Sequence, residues 1–313
     1  MTGNIVTGNG IKKRRIRRDI LQENLEVWLM MLPVLLIIFL FSYIPLWGTI
    51  IAVQDYAPGS PFFGSEYVGL RWIVKFVQSI YFERLITNTL RLSLLQLIFS
   101  FWVPIIFALF LNEVTHLRFK KVVQTCSYMP YFISSVVVAG MAIAFLDPNG
   151  IINNVVVAFG GEPKEFITDP ESFPTIYTVV TIWKDFGFAS ILYFSTLSSI
   201  DPSLYEAARI DGANHMQQIW HITLPGLKSI IAIKLIMSVG SILSSNTDMI
   251  LLLYNTATYR TADVIGTYVY REGIGGGKFS YTTAVNLFMS IIAFLLTQMA
   301  NKVSNKLTGS GLW

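Results

Sequence analysis

Six long apolar blocks constrain the possible folds of this chain more than any other feature of its sequence. They cover approximately residues 28–53, 86–112, 124–146, 174–199, 228–253 and 281–301. A hydrocarbon core of about 30 Å is crossed by about 20 helical residues, so each block is long enough to span a bilayer. Because backbone polar groups in lipid must be hydrogen-bonded internally, the blocks predict helices. The alternating pattern of transmembrane strands, each about 10 residues long, is absent.

The charge distribution predicts the orientation of these spans. Charged residues make up only 13% of the 313 residues, about half the share in a soluble domain. The main basic run, KKRRIRR at residues 12–18, directly precedes the first block. The positive-inside rule therefore predicts a cytoplasmic N-terminus, and six spans then predict a cytoplasmic C-terminus. A nucleic-acid partner would need a basic face on a folded soluble domain, so none is predicted.

The loops fit the same topology, although the bias is incomplete because several basic residues fall in the predicted outer loops. Loop 113–123 is basic and is predicted to be cytoplasmic, whereas loop 147–173 is acidic and is predicted to be outside. The chain divides into a basic cytoplasmic segment 1–27, a six-helix transmembrane domain 28–301 that includes a cytoplasmic loop 200–226, and a cytoplasmic tail 302–313.

The loop at residues 200–226 has a pattern that the other loops lack. Pro202 suits the first turn of a helix that Asp201 can cap. Gly212 interrupts that helix, and a second amphipathic stretch follows and is predicted to end at Pro225, before span five. The pattern predicts a helix, a bend and a second helix whose exposed face can dock on a partner. From periodicity alone, an amphipathic linker that only rests on the bilayer is equally consistent.

The same loop contains a long gapped motif. Glu206-Ala207-Ala208 is followed after three residues by Gly212, and after nine more by Ile222-x-Leu224-Pro225. This pattern resembles the cytoplasmic motif of binding-protein-dependent ABC importer permeases. One departure is Ser229, where many members of the family have a second proline. This departure predicts a different start of span five and intact coupling.

The resemblance extends along nearly the whole chain. The flanking Trp220, the segments 31–33 (MLP), 43–48 (YIPLWG) and 183–188 (WKDFGF), and the tail 309–313 (GSGLW) are similar to the carbohydrate-uptake branch of the family, in particular to lipoprotein-linked oligosaccharide and polysaccharide permeases. The resemblance implies the all-α type I ABC importer permease fold in a bacterial plasma membrane. It implies as partners a second homologous permease, two ATP-binding subunits and an extracytoplasmic solute-binding protein, with a sugar, in particular an oligosaccharide, as cargo.

The resemblance also implies roles in the loop, which forms the coupling helices that sit in a cleft of the ATPase. Glu206 would make a polar contact there, Ala207 and Ala208 would permit close approach, and Gly212 would form the bend. The implied coupling residues are Glu206, Ala207, Ala208, Asp211, Gly212, Ile222, Leu224 and Pro225.

No ATP chemistry is predicted within this chain. A phosphate-binding loop needs Gly-x4-Gly-Lys-Ser/Thr, and the nearest candidate has Glu272 in place of the first glycine and Phe279 after Lys278. We therefore expect no cofactor on this chain, with ATP and magnesium in a partner ATPase. His215 and His221 are six residues apart, a spacing that does not place them on one helical face, so no metal site is predicted. No catalytic constellation is visible, and the chain is not expected to be an enzyme.

Polar residues within the spans are candidates for a substrate pathway, because ionisable groups in lipid are costly and face the bundle interior. Two explanations stay open for them: a polar cavity that receives a sugar, or internal ion pairs such as Lys184 with Asp248 and interhelical hydrogen bonds. Lys234, near the inner end of span five, is expected to extend to the cytoplasm and to have no substrate role. The candidates are Asn88, Trp183, Lys184, Asp185, Tyr193, Asn246, Asp248 and Asn286.

Two other classes of protein are less consistent with the sequence. A secondary transporter driven by an ion gradient would have inverted repeats with broken helices in matching positions, and neither is visible. A membrane scaffold or membrane enzyme is the other alternative. The sequence therefore predicts a permease subunit of an ATP-driven importer.

Overall fold

The computed structural model describes residue 25 and residues 27–61, 64–243, 246–309 and 311. The basic run at residues 12–18 and most of the tail motif lie outside the described residues. The cytoplasmic N-terminus therefore stays a prediction from charge.

The described chain is mostly helical. Helix α1 (Val27–Val53) changes from α to π geometry at Phe39–Tyr43 and to 3-10 geometry at Ile44–Val53. A two-stranded antiparallel hairpin of β1 (Gln54–Asp55) and β2 (Glu66–Tyr67) follows it. The helices are α1 (Val27–Val53), α2 (Arg71–Val77), α3 (Phe82–Glu113), α4 (Leu117–Tyr128), α5 (Ser135–Leu146), α6 (Ile151–Ala158), α7 (Phe173–Ser198), α8 (Pro202–Ile210), α9 (His215–Gly240), α10 (Thr247–Leu253), α11 (Tyr259–Ala262), α12 (Ile265–Val269) and α13 (Phe279–Thr308).

Five helical segments in the described part of the chain are long and apolar enough to cross a membrane. They are Val27–Val53, Phe82–Glu113, Ser135–Ala158, His215–Gly240 and Phe279–Lys306. The fourth apolar block forms α7, which has 26 residues but is not among the five, because Lys184, Asp185 and many hydroxyl residues lower its hydropathy. Val27–Val53, Phe82–Glu113 and Phe279–Lys306 coincide with predicted spans, whereas Ser135–Ala158, which comprises α5 and α6, and His215–Gly240 overlap the third and fifth predicted spans only in part.

The third block is not the single helix predicted over 124–146. Helix α4 begins at Leu117, inside the predicted cytoplasmic loop, and a 3-10 turn at Met129–Phe132 ends it. Helix α5 then starts anew, and the Ser134 side chain caps it by accepting a hydrogen bond from the Val137 backbone N–H at 3.4 Å. Apolar composition is continuous across this break, which explains why the block indicated one span.

The fifth block also differs from the prediction. Helix α9 begins at His215, inside the predicted loop, and ends at Gly240. Pro225 does not end a helix; it lies in the first turn of the α-helical part of α9, directly after a π-helical turn at Ile219–Thr223. The wider turn accommodates the proline ring, which would clash with the preceding turn of a regular helix. The helix ends at Gly240, and α10 begins at Thr247.

Helices α4 and α7 approach each other closely at Gly187. A Cβ atom on Gly187 would lie 1.9 Å from the backbone oxygen of Ser127 on α4. Since this neighbour is backbone, a side chain on residue 187 cannot be accommodated by a rotamer change. The close packing of these two helices therefore depends on a glycine at this position.

We expect Gly187→Ala to destabilise the protein by about 1–3 kcal/mol, the usual range for forced overpacking, because α4 must move away from α7. The measurement is the thermal unfolding of the purified protein in detergent. Gly140→Ala on α5 is the matched control, since nothing lies within 4 Å of its added Cβ. An unchanged melting temperature for Gly187→Ala would contradict the close approach.

A buried carboxylate joins the start of α3 to the segment between α11 and α12. Asp263 is fully buried, and its carboxylate accepts from Arg84 Nη2 at 2.9 Å and from both terminal nitrogens of Arg271 at 3.0 Å. Thr267 Oγ1 donates to it at 2.8 Å. The Asn88 amide donates to the backbone oxygens of Arg260 and Asp263, each at 3.0 Å. We call the side chains of Asp263, Arg84, Arg271 and Thr267 the Asp263 cluster.

Candidate functional site

A polar cavity of about 270 Å³ lies between α3, α7 and α9. One apolar cluster that includes Leu92 and Phe173 packs beyond one end of it, and another that includes Ile105 and Leu197 packs beyond the other. The polar lining residues are Ser93, Gln96, Ser100, Tyr177, Thr181, Asp185, Tyr193, Lys234, Ser238, Ser241 and Asn246.

Helical spacing explains why these side chains converge. On α7 the lining residues recur every fourth position, which forms one face of a helix: Tyr177, Thr181, Asp185, Ala189 and Tyr193. Ser93, Gln96 and Ser100 form the corresponding stripe on α3, and Lys234 and Ser238 on α9 form the third together with Ser241, directly after the end of α9. A polar stripe on each of three neighbouring apolar helices is the sequence signal of this cavity.

Three lining groups retain unused hydrogen-bonding capacity. Ser93 Oγ, Gln96 Nε2 and the Tyr177 hydroxyl are buried, and none has a hydrogen-bond partner among the described residues. Buried polar groups in proteins are nearly always paired. Their position on the cavity wall leaves them available to a polar molecule inside it.

Three of the eight predicted pathway residues, Asp185, Tyr193 and Asn246, line this cavity. Asn246 also caps α10, since its side-chain oxygen accepts from the Met249 backbone N–H at 3.2 Å. Asp185 lies 3.8 Å from the Lys184 ammonium. The Tyr193 side chain is buried between α3 and α9.

The other five predicted residues lie elsewhere. Asn88 binds the backbone beside the Asp263 cluster, as described above. Trp183 borders a separate apolar pocket with residues of α5 and α6. Lys184 pairs with Asp185 rather than with Asp248, and its ammonium lies 5.2 Å from the centre of the Tyr131 ring. Asp248 in the first turn of α10 and Asn286 on α13 are exposed.

Lys234 is the lining residue that the sequence prediction assigned to the wrong environment. It was expected to extend toward the cytoplasm from the inner end of a span that starts at residue 228. Because α9 begins at His215, Lys234 lies far along a longer helix, on the face that borders the cavity. The signal that could have found it is its spacing of four and seven residues from Ser238 and Ser241.

The second candidate site is the loop that carries the gapped motif. Asp201 caps α8, and the Ser203 backbone N–H donates to its carboxylate at 2.9 Å. This hydrogen bond lowers the pKa of Asp201 below its ordinary value. At the other end of α8, Gly212 has φ +79°. The backbone N–H of Gly212 donates to Arg209 O, and that of Ala213 donates to Ala208 O at 2.8 Å, the pattern of a Schellman turn.

The second helix of the loop starts with its own cap. Asn214 and Gln217 form a reciprocal capping box, with hydrogen bonds of 2.7 Å and 2.9 Å. Asp201 thus caps the start of the first helix, the Gly212 turn ends it, and Asn214 caps the start of the second helix. The second helix continues without a break into the body of α9.

One contact joins the two helices of the loop, and a second holds the loop against the bundle. The hydroxyl groups of Tyr205 on α8 and Thr223 on α9 lie 3.1 Å apart. His215 Nε2 lies 2.7 Å from the Glu113 carboxylate at the end of α3. The loop is thus attached to α3 and continues directly into α9, and both of these helices line the cavity.

Most of the motif faces outward. Glu206, Ala207, Asp211, Gly212 and Pro225 are exposed, whereas Ala208, Ile222 and Leu224 are half-buried. Four large apolar side chains of the loop are also exposed: Leu204, Ile210, Met216 and Trp220. Exposed apolar groups beside exposed polar ones are typical of a protein–protein contact surface.

Comparisons with known proteins agree along nearly the whole length of the chain. Residues 100–308 match the family described as the binding-protein-dependent transport system inner membrane component. From Bacillus subtilis, the polygalacturonan/rhamnogalacturonan transport system permease protein YteP is 39% identical, over 96% of this chain and 94% of YteP. Protein LplB from the same organism is 37% identical, over 94% of this chain and 92% of LplB.

A solved structure is similar over nearly the same extent. It is the bacterial alginate ABC transporter in complex with an alginate pentasaccharide-bound periplasmic protein. One of its chains is 40% identical to this chain and superposes with a TM-score of 0.86, over 96% of this chain and 99% of that one. The chain therefore belongs to the family of binding-protein-dependent transport system inner membrane components, and it is a membrane permease subunit of an ABC importer whose ATPase is a separate subunit.

Proposed function

We propose that the polar cavity between α3, α7 and α9 is the part of the translocation pathway that this chain contributes, and that the cargo is an oligosaccharide. The observation that carries the proposal is the convergence of three polar stripes, three of whose groups have unused hydrogen-bonding capacity. A sugar presents many hydroxyl groups that can pair with them. The names of the similar proteins, which refer to polygalacturonan, rhamnogalacturonan and alginate, support this class of cargo.

We further propose that the loop 200–226 receives the ATPase subunit. Glu206, Ala207, Asp211 and Gly212 offer an exposed polar edge beside the exposed apolar side chains of the loop. Closure of the ATPases would move α8 and the start of α9 together, since Tyr205 and Thr223 join them. Such a movement would shift the bundle between an inward-open and an outward-open state.

The proposed topology has six spans, with α7 as the span whose polar face lowers its hydropathy. Both termini would then be cytoplasmic, as would the loop and the tail 302–313. The assembly would contain a second, homologous permease, two ATPase subunits that bind ATP and magnesium, and an extracytoplasmic binding protein that delivers the sugar.

The pathway is tested by filling the cavity. We expect Ala189→Trp to abolish ATP-dependent uptake of labelled oligosaccharides into vesicles that contain the complete transporter, because the indole occupies the space between the three helices. Leu192→Trp is the matched control on the same helix, since Leu192 is exposed and does not line the cavity. Normal uptake by Ala189→Trp, in a complex that assembles and hydrolyses ATP, would exclude the cavity as the pathway.

A further inference from the structure

Two charged residues of the described part of the chain, Asp185 and Lys234, line the cavity. Only one of them has an oppositely charged side chain nearby. Asp185 has a counter-charge 3.8 Å away, on Lys184. Lys234 is half-buried, and no carboxylate of the described residues lies within ion-pair distance of its ammonium. The lining therefore carries one uncompensated positive charge.

An uncompensated lysine inside a transmembrane bundle is unfavourable. Insertion of a lysine at the centre of a span costs roughly 2.5–3.5 kcal/mol, and such residues usually pair or face a water-filled pathway. Ser238 on the same face of α9, and Ser241 directly after the helix, bring no charge. A molecule that supplies a negative charge to the cavity would remove this imbalance.

We propose that Lys234 is a specificity-determining residue that selects a sugar carrying a carboxylate, such as a uronate, over a neutral sugar. The inference rests on the proposed function of the cavity as the sugar pathway. The Lys234 ammonium would pair with the carboxylate of the cargo, while Ser93 and Gln96 on the facing helix α3 would bind its hydroxyl groups. A neutral sugar could use the same hydroxyl contacts but would leave the lysine without a counter-charge.

The ion pair of Asp185 with Lys184 leaves Lys234 available to a carboxylate of the cargo. Because Lys184 already neutralises this carboxylate, it offers Lys234 little competition as a partner. Its ion pair is on α7, whereas Lys234 projects from α9, so the two charges belong to different walls of the cavity. A carboxylate entering the cavity is therefore attracted to the α9 wall, which orients the sugar ring toward α3 and α7.

The test compares Lys234→Met, which keeps the length and apolar stem of the side chain, with Lys234→Arg, which keeps the charge. Each complete transporter is placed in vesicles that contain ATP, and uptake is measured with a labelled galacturonate trimer and with its carboxyl-reduced counterpart. Uptake is expressed per binding protein loaded with each trimer. Lys228→Met is the control, since Lys228 is exposed on the same helix and does not line the cavity.

We expect Lys234→Met to lower uptake of the galacturonate trimer roughly tenfold or more, the usual effect of losing one hydrogen bond to a charged group. Lys234→Arg and Lys228→Met should retain uptake, and uptake of the reduced trimer should be the same in all variants. Equal activity of Lys234→Met and the unchanged protein, or equal losses in Lys234→Met and Lys234→Arg, would overturn the proposal. If the unchanged transporter takes up neither trimer, the proposed oligosaccharide function itself fails.

Discussion

Replacement of Gly212 by valine is expected to stop sugar uptake while the protein remains folded in the membrane. Gly212 has φ +79°, and a non-glycine residue in this conformation costs about 1–3 kcal/mol, more so when it is β-branched. The Schellman turn would rearrange, and the exposed edge formed by Glu206 and Asp211 would no longer meet the ATPase in one orientation. The measurements are uptake and the stimulation of ATP hydrolysis by loaded binding protein, both in vesicles.

Two controls separate the bend from general strain. Gly212→Asn should retain uptake, because asparagine adopts the left-handed conformation more readily than other non-glycine residues. Gly160→Val introduces the same kind of strain in another loop, where Gly160 has φ +83° and open space around its Cβ position. Full coupled uptake by Gly212→Val would show that this turn does not transmit the action of the ATPase.

Substitution of Asp263 by asparagine is expected to cause the largest loss of stability. The change leaves the guanidinium groups of Arg84 and Arg271 without their shared carboxylate at a fully buried position. Removal of one partner from a buried ion pair typically costs about 3–5 kcal/mol. We expect a clear drop in the melting temperature of the detergent-purified protein, together with earlier proteolysis of the segment between α11 and α12.

Glu171→Gln provides the comparison. It removes an ion pair with Arg260 whose two side chains are largely exposed, and exposed pairs contribute about 0–1 kcal/mol. A melting temperature of Asp263→Asn close to that of Glu171→Gln would mean that the Asp263 cluster does not hold α3 to the α11–α12 segment.

The positions of the apolar helices and of the Gly212 bend were predicted well from the sequence. The apolar blocks correspond to helices, because only helices satisfy the backbone of an apolar segment of this length. The Gly212 bend was also predictable, because a glycine between two helices commonly adopts the left-handed backbone conformation that ends the first of them. The first, second and sixth predicted spans coincide with helices that are long and apolar enough to cross a membrane.

Helix boundaries were predicted less well, because hydropathy reports burial in lipid and carries no information on helix continuity. The break before Ser135 lies inside an apolar block, and the helix that begins at His215 crosses a boundary in hydropathy without ending. Pro225 looked like a stop signal, but the π-helical turn that precedes it has no simple signature in the sequence.

The candidate site was predicted in part for the same reason. Depth was judged by counting residues from predicted span ends, so an error in the start of α9 assigned Lys234 to the wrong environment. Asp185 was identified because a carboxylate within a span is conspicuous. Trp183 was grouped with it by adjacency in sequence, although neighbouring residues on a helix point in different directions and Trp183 borders a different pocket.

The continuity of α9 has a mechanical consequence. At 1.5 Å per residue, His215 and Lys234 are about 28 Å apart along the axis, so a tilt of about 10° about the loop end would carry Lys234 by about 5 Å. If the ATPase acts on the loop as proposed, the movement would reach the cavity wall through this helix itself, and the π-helical turn at Ile219–Thr223 followed by Pro225 is where the helix can bend. The rigidity of that turn would then determine how far the cavity wall moves in each transport cycle.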